Sequence, residues 1–148
     1  MNSPRGKRPP TFVLRPMRTA DLRSARLLWS HAEGVELAEG DSPAELAGYL
    51  RRNPGASQVA LAGKRLVGAV LAGHDGRRGF IYHLAVDPGC RGHGLGRQLV
   101  TRALAVLKKR GLRRVLLLVA QDNQAGRAFW LRCGWEDLEI AVPMGIDL

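Results

Sequence analysis

The stretch VDPGCRGHGLGRQLV, residues 86–100, joins a predicted strand to a predicted helix through a glycine-rich loop. Three glycines stand at alternate positions between two arginines: Arg91, Gly92, Gly94, Gly96 and Arg97. Free backbone N–H groups and the helix dipole make a helix N-terminus attractive to anions, phosphate above all. Because glycine has no Cβ, two phosphates can lie against the main chain. The loop therefore predicts a phosphate site.

Two common phosphate loops do not fit this stretch. A Walker A loop requires a lysine directly after its last glycine, and none follows here. A dinucleotide-binding GxGxxG loop would need a third glycine where Arg97 stands, and it would need a βαβ unit around it. The pattern that remains is Arg91-x-x-Gly94-x-Gly96.

Hydrophobic patterning around the loop predicts one layered α/β domain over residues 11–148, in the order β-α-α-β-β-β-α-β-α-β-β. A first strand precedes two helices, the second capped by Ser42. Residues 58–62, 66–73 and 80–86 then form an antiparallel meander leading into the loop. Residues 113–120 read as a strand buried on both faces, as in parallel pairs. Residues 135–148 supply one or two last strands.

Composition narrows the function classes. The chain has 148 residues and a net charge of +10, which suits an anionic partner. Its arginines are not interleaved with aromatic residues, so nucleic acid is not the expected partner. No apolar run approaches the roughly 20 residues of a membrane span. Residues 1–10 lack the apolar middle of a signal peptide and read as a flexible basic tail, so we expect a cytoplasmic protein. Two cysteines without a CxxC pair suggest no metal site.

Two segments resemble the GNAT acetyltransferases. LAVDPGCRGHGLG, residues 84–96, is similar to that family's coenzyme A motif, [QR]xxG-x-[GA]. DNQAGRAFWLRCGW, residues 122–135, resembles its later asparagine-containing signature. GHDGRRGFIYHLAV, residues 73–86, also resembles a bacterial YpeA-like subgroup. The resemblance implies a mixed, mostly antiparallel central sheet of six to seven strands flanked by about four helices.

The resemblance also implies where acetyl-CoA binds. Backbone groups of Leu84, Ala85 and Val86 would face the pantetheine and the thioester, in a gap where this strand splays from the next parallel one. The pyrophosphate would lie on the loop, whose residues are Arg91, Gly92, His93, Gly94, Leu95, Gly96 and Arg97. Asn123 would contact the pantetheine arm and cap its own helix. Trp130 would line the cofactor or acceptor pocket, or be simply a core aromatic.

Transfer to an amine requires that the amine lose a proton. The family often places a glutamate on the strand before LAV, but this chain has none there. Tyr82 and His83 are the polar candidates, and strand alternation predicts that they point to opposite faces. An acidic loop between the first two helices offers four further candidates: Glu33, Glu36, Glu39 and Asp41. Where the family often has a tyrosine as general acid, this chain has Trp130, whose indole N–H has no useful acidity.

These observations predict an N-acetyltransferase that uses acetyl-CoA, without a metal, and acts on the primary amine of a small molecule or a protein. The alternative is a catalytically weak acyl-CoA sensor, or a basic nucleic-acid- or ribosome-associated module, on the same fold. The resemblance leaves open a homodimer formed through the C-terminal strands.

Overall fold

The computed structural model describes residue 6 and residues 8–148. Most of the tail predicted over residues 1–10 therefore lies outside the described residues. The chain divides into two compact units: the first unit ends at Leu118, and the second unit is Val119–Leu148. Each unit is described by itself, and a single domain over residues 11–148 stays a prediction.

The first unit contains a five-stranded sheet in the order β1-β2-β3-β4-β5. Its strands are β1 (Val13–Pro16), β2 (Gln58–Ala62), β3 (Arg65–His74), β4 (Gly79–Val86) and β5 (Val115–Leu116). Neighbouring strands are antiparallel except β4 and β5, which are parallel. The mixed, mostly antiparallel sheet is thus confirmed.

Four α-helices are described: α1 (Leu22–Ser30), α2 (Pro43–Arg52) and α3 (Leu95–Lys109) in the first unit, and α4 (Gln124–Arg132) in the second. The Ser42 side chain caps α2 by accepting a hydrogen bond from Glu45 N–H at 3.2 Å, as predicted. Helix α3 is the crossover between β4 and β5, which a parallel pair requires.

Both faces of β3 are covered. On one face, Ala69 and Leu71 are buried in a cluster with Trp29 of α1 and Leu46 of α2. On the other, a Cβ added at Gly68 would lie 3.0 Å from Leu99 Cδ1 of α3, so strand and helix approach closely there. The helices thus hold β3, and β4 beside it, in the middle of the unit.

The parallel strand predicted over residues 113–120 is present but short, and the last strands predicted over residues 135–148 do not form. β5 is two residues long rather than eight, and Leu118, predicted buried, is 76% exposed. No strand forms in residues 135–148, where alternating apolar side chains such as Ile140 and Met144 are exposed. The sheet therefore has five strands, not six or seven. An apolar alternation favours a strand only where a neighbouring strand and a covering layer bury it, and neither forms around this segment within its unit.

Candidate active site

β4 contains a β-bulge opposite the middle of its antiparallel partner β3. Ala69 pairs with Ala85 and Leu71 pairs with Tyr82, so two residues of β4, His83 and Leu84, oppose one residue of β3. His83 has φ +50°, the only positive φ at a non-glycine position in the described chain. Left-handed backbone is uncommon outside glycine, although histidine tolerates it better than most residues. Bulges frequently lie beside active sites, where they redirect a side chain.

The extra residue breaks the alternation of β4 and brings Tyr82 and His83 together. Their ring centroids are 6.3 Å apart, and the His83 ring is 5.2 Å from that of Trp29 on α1. Tyr82 in turn stacks on Phe80 at 6.0 Å and meets Tyr49 of α2 edge-on at 6.4 Å. Both side chains therefore lie on the face covered by α1 and α2. The expectation that they point to opposite faces is wrong, because a bulged residue does not follow the two-residue period.

His83 is hydrogen-bonded to Asp41, which lies in the loop between α1 and α2. The distance from His83 Nε2 to Asp41 Oδ1 is 2.8 Å, and the two side chains are only 15% and 12% exposed. The other carboxylate oxygen accepts the N–H of Ala38 at 3.0 Å, and the Asp41 carbonyl accepts Arg26 Nε at 2.9 Å. The Asp41 carboxylate is thus held by the Ala38 N–H, and the Asp41 main chain is held by the Arg26 side chain.

Asp41 is the functional candidate that sequence reasoning did not single out. It stood among four acidic residues of one loop, and the other three, Glu33, Glu36 and Glu39, are exposed. Its partner is 42 residues away in the sequence, and only the bulge turns His83 towards it. Periodicity and motif spacing carry no signal for such a contact.

The two tyrosines of this face stay protonated at neutral pH. Burial, and to a smaller extent the charge of Asp75, raises the pKa of Tyr82. Burial also raises the pKa of Tyr49 well above its usual range, with a further contribution from Tyr82. A phenol held protonated can donate a hydrogen bond but does not act as a base. His83 is therefore the better of the two predicted proton acceptors.

β4 and β5 separate after a short contact. Their ladder consists of Gly79 with Val115 and Phe80 with Leu116, and it ends there. Along residues 81–86, β4 has no strand partner on this side within the described part of the first unit. The segment Leu84, Ala85 and Val86 thus presents an open main-chain edge, as the resemblance implied.

The loop after β4 is a main-chain cradle. Gly92 and Gly94 have φ +82° and +73°, and a Cβ at Gly92 would meet nothing within 4 Å. A Cβ at Gly94 would meet only the Gln98 amide, at 3.7 Å. The N–H groups of residues 92–96 have no acceptor among the described residues. Alternating left-handed glycines with free N–H groups at a helix N-terminus form an anion site, so the loop fits a pyrophosphate.

Neighbouring side chains hold this cradle in shape. Leu95 is 2% exposed and anchors the first turn of α3 in the core. Asp87 accepts the N–H of Gly89 at 2.9 Å and pairs with Arg65 at 3.1 Å, fixing the turn before the loop. Arg91 donates through Nε to the carbonyl of Val86 at 3.3 Å.

The remaining predicted site residues lie in three places. In the loop, the His93 ring is 5.5 Å from that of Phe12, and Gly96 and Arg97 belong to the first turn of α3. Asn123 belongs to the second unit, where its Oδ1 accepts Gly126 N–H at 3.0 Å and caps α4 as predicted. Trp130, also in that unit, packs against Phe129 and Trp135 at 5.1 and 5.2 Å. A role in cofactor binding stays a prediction for both.

Within the described residues, no three His, Cys, Asp or Glu side chains are grouped so as to hold a metal ion. No described helix is both long enough and apolar enough to span a membrane.

Comparison with known proteins agrees with this geometry. The model of the Acetyltransferase (GNAT) family matches residues 20–135. An acetyltransferase of Yersinia enterocolitica is 31% identical over 112 residues, which are 76% of this chain and 79% of that protein. Among solved structures, Ard1 from Thermoplasma volcanium superposes with a TM-score of 0.73 at 21% identity, over 83% of this chain and 81% of its own.

A second similar structure was determined with CoA bound. Rv2747 from Mycobacterium tuberculosis, determined in complex with CoA and NLQ, superposes with a TM-score of 0.68 at 26% identity, over 86% of this chain and 73% of its own. The family match spans the open edge of β4, the cradle and the cap of α4. This chain is a member of the GNAT family of acetyltransferases.

Proposed function

We propose that this acetyltransferase moves the acetyl group of acetyl-CoA directly to a primary amine. The observation that carries the proposal is the order of two features in one segment: the open edge along residues 81–86 is followed, after the turn of residues 87–91, by the free N–H groups of residues 92–96. An extended pantetheine arm fits the first feature, because strand edges offer regularly spaced donors and acceptors. A pyrophosphate fits the second.

The chemistry asks the protein for three things: position, polarisation of the thioester, and removal of a proton. Backbone groups of Leu84, Ala85 and Val86 position the thioester, and an N–H near Val86 polarises its carbonyl. A lysine-like amine with a pKa of about 10.4 is only ~0.1% neutral at pH 7, an obstacle of roughly 4–5 kcal/mol. Of the two predicted candidates on this strand, His83 can accept the proton, and the protonated Tyr82 can donate a hydrogen bond.

The family resemblance assigns Asn123 to the pantetheine arm and Trp130 to cofactor binding, and the proposal includes both assignments. Departure of the thiolate needs less help than activation of the amine. A thiol pKa near 8.5 lies ~1.5 units above neutral pH, about 2 kcal/mol, so water can supply the proton.

We place the protein in the YpeA-like subgroup and in the cytoplasm, with a small-molecule or protein amine as acceptor.

Substitution of Gly94 tests the pyrophosphate position. Gly94→Asp puts a negative charge into the cradle, and we expect CoA affinity to fall by at least about 100-fold, or ~2.7 kcal/mol, in calorimetric titration. Gly94→Asn has the same shape without the charge and should lose much less. Gly111→Asp is the matched control, since Gly111 also has positive φ, faces open space and lies at the other end of α3. Unchanged affinity in folded Gly94→Asp would refute the placement.

Thiol release from acetyl-CoA tests the reaction. The acceptors are phenethylamine, spermidine, glucosamine and a peptide with a free N-terminal alanine, which represent four classes of primary amine. We expect steady release with one class. CoA binding without release with any of the four would reject the transfer reaction in favour of an acyl-CoA sensor.

A further inference from the structure

The contact between Asp41 and His83 points to a specific division of labour, which rests on the function proposed above. We propose that His83 Nδ1 accepts the proton of the substrate amine. Asp41 is the positioning residue that holds the imidazole in the tautomer with hydrogen on Nε2.

The hydrogen bond itself determines the tautomer. An ionised carboxylate can only accept, so the hydrogen shared at 2.8 Å between Asp41 and His83 belongs to Nε2. A neutral imidazole carries one hydrogen, and Nδ1 therefore keeps its lone pair. Asp41 cannot swing away easily, because Ala38 N–H holds its second oxygen and Arg26 holds its carbonyl.

The lone pair of Nδ1 is available to a substrate. His83 makes one side-chain hydrogen bond in the described structure, through Nε2, and none through Nδ1. Among the described residues, no side-chain nitrogen or oxygen is both buried and without a partner. Nδ1 of His83, whose side chain is 15% exposed, is therefore not completely buried. A histidine whose one nitrogen is fixed by a carboxylate and whose other nitrogen has no hydrogen-bond partner is arranged as a base.

The backbone at His83 supports the same role. Its left-handed conformation is higher in free energy than the extended conformation of a regular strand. Such strained residues cluster at functional sites. That conformation turns His83 out of the alternation and towards Asp41 and Trp29. His83 also directly precedes Leu84, the first of the three residues whose main chain is proposed to face the thioester.

The proton balance of the reaction is as follows. The substrate ammonium gives one proton to His83 Nδ1 and becomes a neutral amine. Its lone pair forms the N–C bond to the acetyl carbonyl, and the C–S bond breaks with its electron pair going to sulfur. The amine's second proton leaves the nitrogen and, through water, neutralises the thiolate. His83 then returns its proton to solvent, so each turnover releases one amide, one thiol and one proton.

The tautomer can be observed without turnover. Long-range proton–nitrogen NMR of the imidazoles at mildly alkaline pH should show His83 with hydrogen on Nε2, its signals being those lost in His83→Asn among the four histidines. In Asp41→Asn the amide nitrogen would donate to Nε2 while its oxygen still accepts Ala38 N–H, so the hydrogen should move to Nδ1. Hydrogen on Nδ1 in the unaltered protein would overturn the proposal.

Steady-state kinetics of Asp41 and His83 variants test whether the proposed base and its positioning residue contribute to the transfer rate. Asp41→Asn and His83→Asn should each lower kcat by about 100-fold for whichever of the four amines the enzyme acetylates, within the range of general-base effects, and leave KM for acetyl-CoA nearly unchanged. Asparagine tolerates left-handed backbone, so His83→Asn keeps the bulge. With aniline, which is already neutral at this pH, the loss should be much smaller. Asp21→Asn is the matched control, because the Asp21 carboxylate also accepts a backbone N–H, from Arg18 at 2.7 Å, but pairs with Arg15 rather than with a histidine.

The outcomes distinguish failure of the base role from failure of the transfer reaction. Variants as active as the unaltered enzyme, or an equal loss with both amines, would overturn the roles of Asp41 and His83 while the transfer reaction stands. If the unaltered enzyme binds CoA but acetylates none of the four amines above, the proposed function fails, and the base role fails with it.

Discussion

The cradle before α3 and the bulge in β4 belong to the same unit, but they are built by opposite means. The cradle is made by the main chain of consecutive residues, 92–96, and its side chains serve mainly to leave space or to anchor it. The bulge site is made by side chains from three separate places: Trp29 in α1, Asp41 in a loop and His83 in β4. A site built from the main chain of consecutive residues can be recognised in a short stretch of sequence, whereas a cluster of side chains from distant residues depends on the tertiary structure.

The largest expected effect comes from removing the support under the bulge. Trp29 is fully buried, and its indole N–H donates to the Ala69 carbonyl at 3.4 Å. Trp29→Ala should lower the free energy of unfolding by about 3–5 kcal/mol, because the cavity adds to the lost burial. Urea unfolding measures this.

The milder Trp29→Phe fills most of the same space and tests whether the two regions are separable. We expect this variant to keep CoA affinity within about threefold, less than 1 kcal/mol, while transfer to amines weakens. A parallel loss of both properties would show that the cradle and the bulge act as one site.

A middle-sized effect is expected outside both regions, at Asp21. Its carboxylate accepts two bonds from Arg15, at 2.7 and 2.9 Å, and one from Arg18 N–H at 2.7 Å. Burial works against the charge, but these bonds outweigh it and the pKa of Asp21 is lowered. Asp21→Asn should cost about 1–2 kcal/mol at neutral pH and leave CoA binding and transfer unchanged.

The sign of the pH dependence follows from that lowered pKa. A carboxyl whose pKa falls on folding stabilises the protein fully above its unfolded value, about 3.9. The contribution disappears as the pH falls through the lower, folded value. Unfolding curves of the unaltered protein and Asp21→Asn should therefore differ at neutral pH and converge in acid. A constant difference at all pH values would contradict the role of the charge.

The smallest effect concerns the electrostatics next to the bulge. Burial first and Asp75 second raise the pKa of Tyr82, so Asp75→Asn should lower the pKa of Tyr82. The chain has two tyrosines, and Tyr49 ionises later because its pKa is raised much further. Ultraviolet titration should show the first phenolate step at lower pH in the variant. A step that does not move would mean that burial alone causes the shift.

The glycine loop and the start of the helix after it were predictable from the sequence because their causes are local. Glycine alternation, an arginine on each side and a following amphipathic helix are all contained in residues 86–100. The helix caps at Ser42 and Asn123 were also predicted, since a cap depends on residues three apart.

The bulge and the strand count were not predictable in the same way. A bulge is a mismatch between two strands, so β4 alone cannot reveal that His83 leaves the alternation. The apolar alternation from Leu138 onward is as regular as that of any strand in the sheet, yet it pairs with nothing in its unit. In both cases the sequence of the segment alone does not show which strand, if any, lies beside it.

The open edge of β4 has a consequence for how this enzyme can evolve. Recognition through main-chain N–H and C=O groups does not depend on which side chains the strand carries. Residues on the α1 and α2 face can therefore be exchanged for others without loss of the cofactor, provided that the strand keeps its course. With the cofactor in the proposed position, a lineage with this architecture can change its acceptor by substitutions on one face of β4 and keep the same cosubstrate along the edge.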